Sequence, residues 1–394
     1  MRLAAAGAPH LTYCTNIHAG ETWPEVRRNV ATHVRAVKAR IAPDRPFGVG
    51  LRLSGAAASA LATPEELAAF RAFLDESGLY VFTINGFPYG PFHGTPVKED
   101  VYRPDWLEEE RLAYTDRLAR ILAALVPGGC EGSISTVPGA FRARIAGERD
   151  AAAIARRIAA HVATLHELHE RAGVPIALAL EPEPCCQLET IAETIAFFDD
   201  HLFRQQVPGL GPSASAAALR RHVGVCLDAC HMAVEYEDPA AALAALRMRG
   251  IRIVKIQVSA GLVASLASAA DREALRAFAD DVYLHQVVER APDGLRRWTD
   301  LPAALADAER RPDAAREWRI HFHVPLFREA LGRFRSTQGW VRELLALVRR
   351  DAPTAHLEVE TYTWDVLPEE FRKEPIADAV ARELGWVVEQ MTAP

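Results

Sequence analysis

Short apolar runs alternate with long helical segments along the chain, and this alternation constrains the fold more than any other feature of the sequence. The helical segments are rich in Ala, Leu and Arg, whereas the apolar runs have the length of strands. This pattern is typical of repeated βα units that form a parallel sheet. We interpret as strands the runs at residues 11–18, 47–54, 79–86, 131–138, 174–184, 222–231, 251–259, 319–327 and 355–364.

The number and spacing of these runs favour an α/β fold of one domain, the (β/α)8 or TIM barrel. The first seven runs follow one another at the spacing of βα units, whereas the interval before the last run is far longer than an ordinary connection. We therefore predict a single barrel over residues 1–394, with a late insertion at residues 262–354, before the last strand. The run at 319–327 either lies in this insertion or replaces one of the barrel strands.

Capping residues mark the ends of several helices. Thr63, which is followed by a proline and two glutamates, predicts the start of a helix. Gly78 and Gly173 stand just before the next strand runs, where a glycine commonly ends a helix. These signals agree with the alternation of helices and strands.

The composition limits the class of protein. The chain is 49% hydrophobic and has a formal net charge of −7, so it lacks the basic excess of a protein that coats nucleic acid or a membrane surface. The sequence shows neither a secretory signal nor an apolar run as long as a membrane span. We therefore expect a cytoplasmic protein with reduced cysteines. A zinc site among these cysteines is disfavoured because no CxxC pair is present.

Carboxylates stand at the ends of three strand runs. Glu181 ends one run, and Asp228 ends another with His231 three residues later. Glu358 and Glu360 share one face of the last run, and we prefer Glu360 because it lies nearer the carboxyl end. Because active sites of such barrels form at the carboxyl ends of the strands, we expect these side chains to converge there.

Converging carboxylates need a neutralising cation, and a divalent ion held by carboxylates and an imidazole is the simplest solution. Taken singly, each acid is better explained by a helix N-cap or a surface ion pair. Taken together, Glu181, Asp228 and Glu360 predict a metal site, with His231 as a further ligand.

Two strand runs carry pairs of polar residues on one face. His321 and His323 form an HxH arrangement, which suits a metal or a phosphate and equally a buried core position. Lys255 and Gln257 share a face opposite to apolar residues, so both are expected to point into the barrel. A buried lysine needs a partner carboxylate, and Lys255 is therefore either catalytic or part of a structural ion pair.

Loops after the strand runs supply candidates for ligand contacts. His93 follows the third run in a loop rich in Gly, Pro and aromatic residues, and we expect it to line the pocket mouth with Asn85 and Tyr89. Trp364 belongs to the same aromatic rim at the last run. Such a rim favours a partly apolar ligand, although ordinary loop packing explains the aromatic residues equally well.

The strand-end residues Glu181, Asp228, His231 and Glu360 resemble those of the xylose isomerase-like superfamily, which includes sugar isomerases, sugar epimerases and endonuclease IV. The resemblance implies a TIM barrel of this kind and a divalent metal ion, with Mn, Mg, Zn and Co as candidates. Members normally supply a histidine ligand from the seventh strand, where this chain has Gln257. Either Gln257 binds through its carbonyl oxygen, or a histidine of the HFHVPLF run replaces it, or metal binding is weakened.

A closer resemblance covers nearly the whole chain. The motifs LTYCTNIHAGETW, YVFTINGFPYGPFHG, CLDACHMAVEYE, HFHVPLF and HLEVETYTWDVLP are similar to those of the EboE family of metabolite traffic proteins. This resemblance implies a role in moving or maturing a secondary-metabolite precursor. It also implies a small-molecule metabolite as ligand and a membrane-protein partner from the same operon.

Three functions are compatible with these features. The first is metal-dependent isomerisation or epimerisation of a small polyhydroxylated or carbonyl compound, with Glu181, Glu360 and Lys255 as candidate catalytic residues. The second is metabolite binding for traffic, without turnover. The third, a metallohydrolase of the endonuclease type, needs more histidines and a basic groove, so no nucleic-acid partner is expected. The fold alone does not separate the first two functions.

Overall fold

The computed structural model, which describes residues 1–311 and 316–393, confirms the predicted barrel. The first seven strands of the chain all belong to it, and each overlaps one of the apolar runs. These strands are β1 (His10–Tyr13), β2 (Phe47–Arg52), β3 (Leu79–Asn85), β4 (Gly132–Thr136), β5 (Ile176–Leu180), β6 (Val223–Asp228) and β7 (Arg252–Val258).

A second, antiparallel sheet of six strands follows β7. Its order is β10-β9-β11-β8-β13-β12, so strands distant in sequence are paired. The strands are β8 (Leu262–Leu266), β9 (Val287–Ala291), β10 (Gly294–Trp298), β11 (Arg316–Ile320), β12 (Ala330–Leu331) and β13 (Phe334–Ser336).

The run predicted at 319–327 contributes only its first two residues to this sheet. Strand β11 ends at Ile320, which pairs with Leu262, the first residue of β8. Because the partner strand begins there, the ladder has no continuation beyond Ile320. His321 and His323 therefore lie after the end of the strand. The expectation that both histidines belong to one strand and share its face is wrong.

The last strand, β14 (His356–Val359), returns to the barrel between β1 and β7. The barrel order is β1-β14-β7-β6-β5-β4-β3-β2, and every pair is parallel. Between β1 and β2 the hydroxyl of Thr12 donates to Gly48 O (2.7 Å) and accepts from Gly50 N (3.0 Å). These bonds, with one backbone bridge between Cys14 and Gly50, bring the barrel close to full closure.

Fourteen α-helices accompany the strands in the described residues, and none of them is both long and apolar enough to cross a membrane. The predicted caps are present: the Thr63 side chain accepts from Glu66 N, and Gly78 and Gly173 end their helices with positive φ. The helices are α1 (Trp23–Asn29), α2 (Arg35–Ile41), α3 (Gly55–Leu61), α4 (Pro64–Ser77), α5 (Glu109–Leu125), α6 (Glu148–Ala172), α7 (Ile191–Asp200), α8 (Pro212–His222), α9 (Ala229–Val234), α10 (Pro239–Met248), α11 (Ala269–Leu275), α12 (Leu301–Arg310), α13 (Gln338–Asp351) and α14 (Ile376–Thr392).

Candidate metal centre

Three carboxylates meet at the carboxyl end of the barrel. Glu181 directly follows β5, Asp228 is the last residue of β6, and Glu360 directly follows β14. All three side chains are buried, and one carboxylate oxygen of each lies within 4.8 Å of the others. Parallel strands have their carboxyl ends at one rim of the barrel. Because each of the three acids stands at the carboxyl end of its strand, their side chains meet there.

Hydrogen bonds from neighbouring residues hold two of these carboxylates. Asp228 Oδ1 accepts from Ser259 Oγ (2.8 Å) and, as the N-cap of α9, from the backbone N–H of His231 (2.9 Å). Glu360 Oε1 accepts from the side-chain amides of Asn16 (2.8 Å) and Asn85 (2.9 Å). The positions of these two carboxylates are therefore fixed by the protein itself.

Other oxygens of the same group are buried without a partner. Glu181 Oε2 and Asp228 Oδ2 make no hydrogen bond within the described part of the chain. Burial, followed by the charges of Glu360 and Asp228, raises the pKa of Glu181 well above its usual range. Burial and the charge of Asp228 raise the pKa of Glu360 in the same way. Buried and unpaired carboxylate oxygens are costly, and a hard divalent cation fits this donor set.

Three imidazoles lie beside the carboxylates, and each turns its Nδ1 atom to an acceptor. The acceptors are Pro182 O for His231 (3.0 Å), Gln286 Oε1 for His321 (2.7 Å) and Glu360 O for His323 (2.9 Å). The amide of Gln286 is oriented by its Nε2, which donates to the hydroxyl of Tyr102 and to Pro184 O. Each Nδ1 therefore carries the proton, and each Nε2 keeps its lone pair.

The Nε2 atoms of these imidazoles face one another and Asp228. Those of His231 and His321 are 3.0 Å apart, and that of His323 is 4.0 Å from Asp228 Oδ1 and lacks a hydrogen-bond partner in the described residues. Burial lowers the pKa of His323 to about 4, and burial with the neighbouring imidazoles lowers the pKa of His321, so both are neutral at pH 7. Neutral imidazoles anchored through Nδ1–H are typical metal ligands.

Glu183, which the sequence interpretation missed, is a fourth buried acid at this rim. Its Oε1 accepts from the hydroxyl of Tyr102 (2.7 Å) and lies 3.6 Å from His321 Nδ1. Its Oε2 has no partner in the described residues, and burial raises its pKa to about 7. The signal in the sequence was its spacing of two residues from Glu181 in the EPEP segment.

Lys255 and Glu358 form a buried ion pair inside the barrel, with 2.5 Å between Lys255 Nζ and Glu358 Oε2. Gly50 leaves room for this pair, because a Cβ atom there would come within 2.1 Å of Glu358 Oε1. Gln257 also points inward, but its carbonyl oxygen accepts from the thiol of Cys226 (2.9 Å). The expected ligand Gln257 therefore has its oxygen engaged in this conformation.

A cavity opens above the carboxylates. It offers about 50 Å³ to the centres of water molecules, and its whole empty space, open mouth included, is about 500 Å³. The second sheet and its connections contribute residues that the sequence interpretation missed, among them Tyr283 and Leu284. The lining comprises Asn16, Asn85, Phe87, Pro88, Phe92, Val97, Lys98, Val101, Tyr102, Glu181, Glu183, His231, Tyr283, Leu284, His321, Glu360 and Tyr362.

Three residues expected at the pocket do not line this cavity. Tyr89 packs against Tyr114, and its hydroxyl donates to Glu110 (2.5 Å) on the outer side of the loop. Trp364 belongs to the main hydrophobic core. His93 lies at the carboxyl end of the barrel but is not among the residues that line the cavity. Burial, and then the positive charge of Arg52, lowers the pKa of His93 to about 4. Loop conformation, which the strand pattern does not specify, decides these positions.

Comparison with known proteins agrees with this architecture. A family model described as "Xylose isomerase-like TIM barrel" matches residues 48–281. A xylose isomerase-like TIM barrel protein from Mycobacterium smegmatis, solved in complex with magnesium, is 12% identical, has a TM-score of 0.52 and aligns over 99% of both chains. The IOLI protein, solved with a binding zinc atom, is 12% identical, has a TM-score of 0.50 and aligns over 98% of this chain and 100% of its own. No curated protein matches the chain.

Proposed function

Since the chain belongs to the xylose isomerase-like TIM barrel family, we propose that it is a cytoplasmic, metal-dependent enzyme of the sugar isomerase or epimerase type, acting on a small metabolite. The observation that carries this proposal is the convergence of Glu181, Asp228 and Glu360, two of which have buried oxygens without a partner in the described residues. Such a group is stable only as a binding site for a cation or in a protonated form.

The described residues include four groups of side chains that could hold a divalent ion, and two of these groups share Asp228. The three carboxylates present hard oxygen donors, which suit Mg or Mn, whereas Asp228 with the imidazoles of His231 and His323 suits Zn or Co. The magnesium in the M. smegmatis structure and the zinc in the IOLI structure support a metal in this fold. When bound, such an ion polarises a carbonyl or hydroxyl oxygen of the substrate.

Glu183 is the carboxylate best suited to move a proton. Isomerisation and epimerisation both remove a proton from a carbon next to a carbonyl group and return it to a different position or face. Glu183 lines the cavity, has one oxygen without a partner in the described residues and has a pKa near 7, which suits a general base. Glu181 and Glu360, the candidates from the sequence, then serve as metal ligands, and Lys255 acts as a positioning charge beneath them.

The second candidate is a metabolite-binding traffic protein without turnover. The observation in its favour is Gln257, whose carbonyl oxygen is occupied by Cys226 where the superfamily has a histidine ligand. The similarity of the sequence motifs to the EboE family supports a role in processing or traffic of a secondary-metabolite precursor. We propose that a membrane protein of the same operon receives the product or the bound metabolite.

Proton exchange with solvent separates the two candidates. The metal-loaded protein is incubated in D2O with a panel of hydroxyketones, and deuterium at the carbon next to the carbonyl is followed by NMR. An enzyme of the proposed type incorporates deuterium into at least one compound. Glu183→Gln strongly slows this exchange, while Glu76→Gln, at an exposed position of α4, leaves it unchanged. Binding without exchange for every compound that binds contradicts the proposed activity and favours the traffic protein.

A further inference from the structure

The apolar side of the cavity consists of aromatic rings packed on one another. The ring centres of Phe92, Tyr283 and Tyr362 are 5.1–5.4 Å apart, so the three rings form one face. Val97 and Val101 line the cavity on the same loop as Phe92. Phe92 comes from the loop after β3, Tyr283 from the insertion and Tyr362 from the turn after β14. All three line the same cavity as the carboxylates of Glu181 and Glu360.

Two polar groups among these outer residues, the hydroxyl of Tyr283 and the amine of Lys98, are already used by the protein. The hydroxyl of Tyr283 donates to Phe92 O (2.9 Å). Lys98 Nζ donates to Asp280 O (2.9 Å), Tyr283 O (2.7 Å) and Asp300 Oδ2 (2.9 Å), so its three protons are taken. Within the described residues, Lys98 is the only lysine or arginine that lines the cavity. In the outer part of the cavity, within the described residues, neither the amine of Lys98 nor the hydroxyl of Tyr283 is therefore available to bind a ligand.

The unpartnered polar atoms lie together at the opposite, inner side. Glu181 Oε2, Glu183 Oε2 and Asn16 Oδ1 are buried without a hydrogen-bond partner in the described residues. These atoms surround the carboxylates and imidazoles of the candidate metal centre. A ligand can therefore satisfy its polar atoms at the inner end of the cavity, whereas hydroxyl groups along its outer part would lose their hydrogen bonds to water without replacement.

We propose that the ligand is an uncharged, two-sided molecule, with a carbonyl or hydroxyl pair at one end and a flat apolar body, and is neither a free sugar nor a phosphate ester. The proposal deepens the proposed function, since it rests on the polar end facing the metal centre. The cavity, whose empty space is about 500 Å³ with its open mouth included, can receive the polar end beside the carboxylates and the body against the aromatic face.

The test compares ligands that differ in where their polar groups lie. The probes are 2,3-dihydroxynaphthalene, 2-naphthol, D-fructose and D-fructose 6-phosphate, titrated calorimetrically into metal-loaded and metal-free protein. We expect 2,3-dihydroxynaphthalene to bind the metal-loaded protein at least about tenfold more tightly than either sugar. We also expect 2-naphthol, which cannot chelate, to bind the metal-free protein more tightly than D-fructose.

A matched variant shows whether the aromatic face provides the affinity. Phe92→Ala should weaken both naphthalene compounds by about fivefold or more without changing the metal content of the protein. Equal or tighter binding of either sugar, or naphthalene affinities that are unchanged in Phe92→Ala, would overturn the proposal. Because the 2-naphthol comparison needs no metal, failure of the metal centre is distinguished from failure of this ligand class.

Discussion

The Nε2 atoms of His231 and His321 lie 3.0 Å apart although both imidazoles direct Nδ1 to an acceptor, so two lone pairs face each other. Two lone pairs at this distance repel each other unless a proton or a cation lies between them. Burial and the neighbouring imidazoles lower the pKa of His321, which disfavours the proton. The arrangement is therefore best suited to a cation.

Replacement of His321 should weaken metal binding. We expect His321→Asn to lower the affinity for Co²⁺ or Zn²⁺ by roughly 10–100-fold, because one anchored imidazole is removed. Competition with a chelator measures the affinity, and the visible spectrum of Co²⁺ reports the change in ligands. The control is His166→Asn on α6, which should retain the wild-type affinity. Equal affinities for the wild type and His321→Asn would show that the imidazoles are structural.

The metal-free protein should lose stability as the pH rises above about 6.5, the ordinary pKa of histidine. Below that pH the buried histidines with lowered pKa values, His321 and His323 among them, oppose the effect of the carboxyl groups. Burial raises the pKa of Glu183 to about 7, and those of Glu181 and Glu360 are also raised. The folded protein therefore retains protons that the unfolded chain has released above its ordinary carboxyl pKa, and stability falls as these protons are lost. Thermal unfolding with a chelator should show this slope, and added metal should flatten it.

Glu181→Gln provides the matched test of that slope. In the metal-free protein at pH 8 it removes one buried charge from the group, so we expect its Tm to exceed that of the wild type by roughly 2–4 °C. A lower Tm for Glu181→Gln, or a wild-type Tm that rises with pH above about 6.5 in the presence of chelator, would contradict the electrostatic account.

Glu183→Gln should impair proton transfer while the metal content stays unchanged. General bases contribute about 10²–10⁴-fold to rate, so we expect a loss of this size in the deuterium exchange described above. In the wild type the exchange rate should rise with pH through about 7, as Glu183 loses its proton, and this step should be absent in the variant. An unchanged pH profile in Glu183→Gln would assign the proton transfer to another group.

Breaking the ion pair inside the barrel should be strongly destabilising. Lys255→Met leaves the carboxylate of Glu358 buried without its partner, and we expect a loss of about 3–5 kcal/mol in the free energy of unfolding. The double variant Lys255→Met with Glu358→Gln removes both charges and should recover most of this loss. Denaturation by urea measures both effects. A double variant no more stable than Lys255→Met would mean that the pair contributes through packing and not through charge.

The barrel and its strand-end acids follow from local sequence patterns. Apolar runs with βα spacing predict the strands, and residues such as Glu181 and Asp228 acquire their positions from the strands that they end. Capping residues such as Thr63 and Gly78 act within one helical turn, so helix ends are also predictable.

The insertion and the loops depend on contacts between distant residues, and the sequence interpretation was weakest there. Tyr283 and Gln286 reach the site because β9 and β11 pair with each other, which no local pattern indicates. His321 and His323 were recognised as candidates, but the end of their strand is set by the start of β8. Contacts between distant residues also decide where Tyr89 and Trp364 lie: Tyr89 packs against Tyr114, and Trp364 packs in the main hydrophobic core.

The metal content of the purified protein tests the central claim most directly. Wild type, Glu181→Ala, Asp228→Ala and the surface control Glu76→Ala on α4 are purified without chelator and analysed for Mg, Mn, Zn and Co by elemental analysis, with circular dichroism as the check on folding. We predict a bound divalent metal in the wild type and the control, and its loss in both site variants at unchanged circular dichroism. Equal metal content in all four proteins would contradict the metal centre at Glu181, Asp228 and Glu360 and would favour the metabolite-binding function.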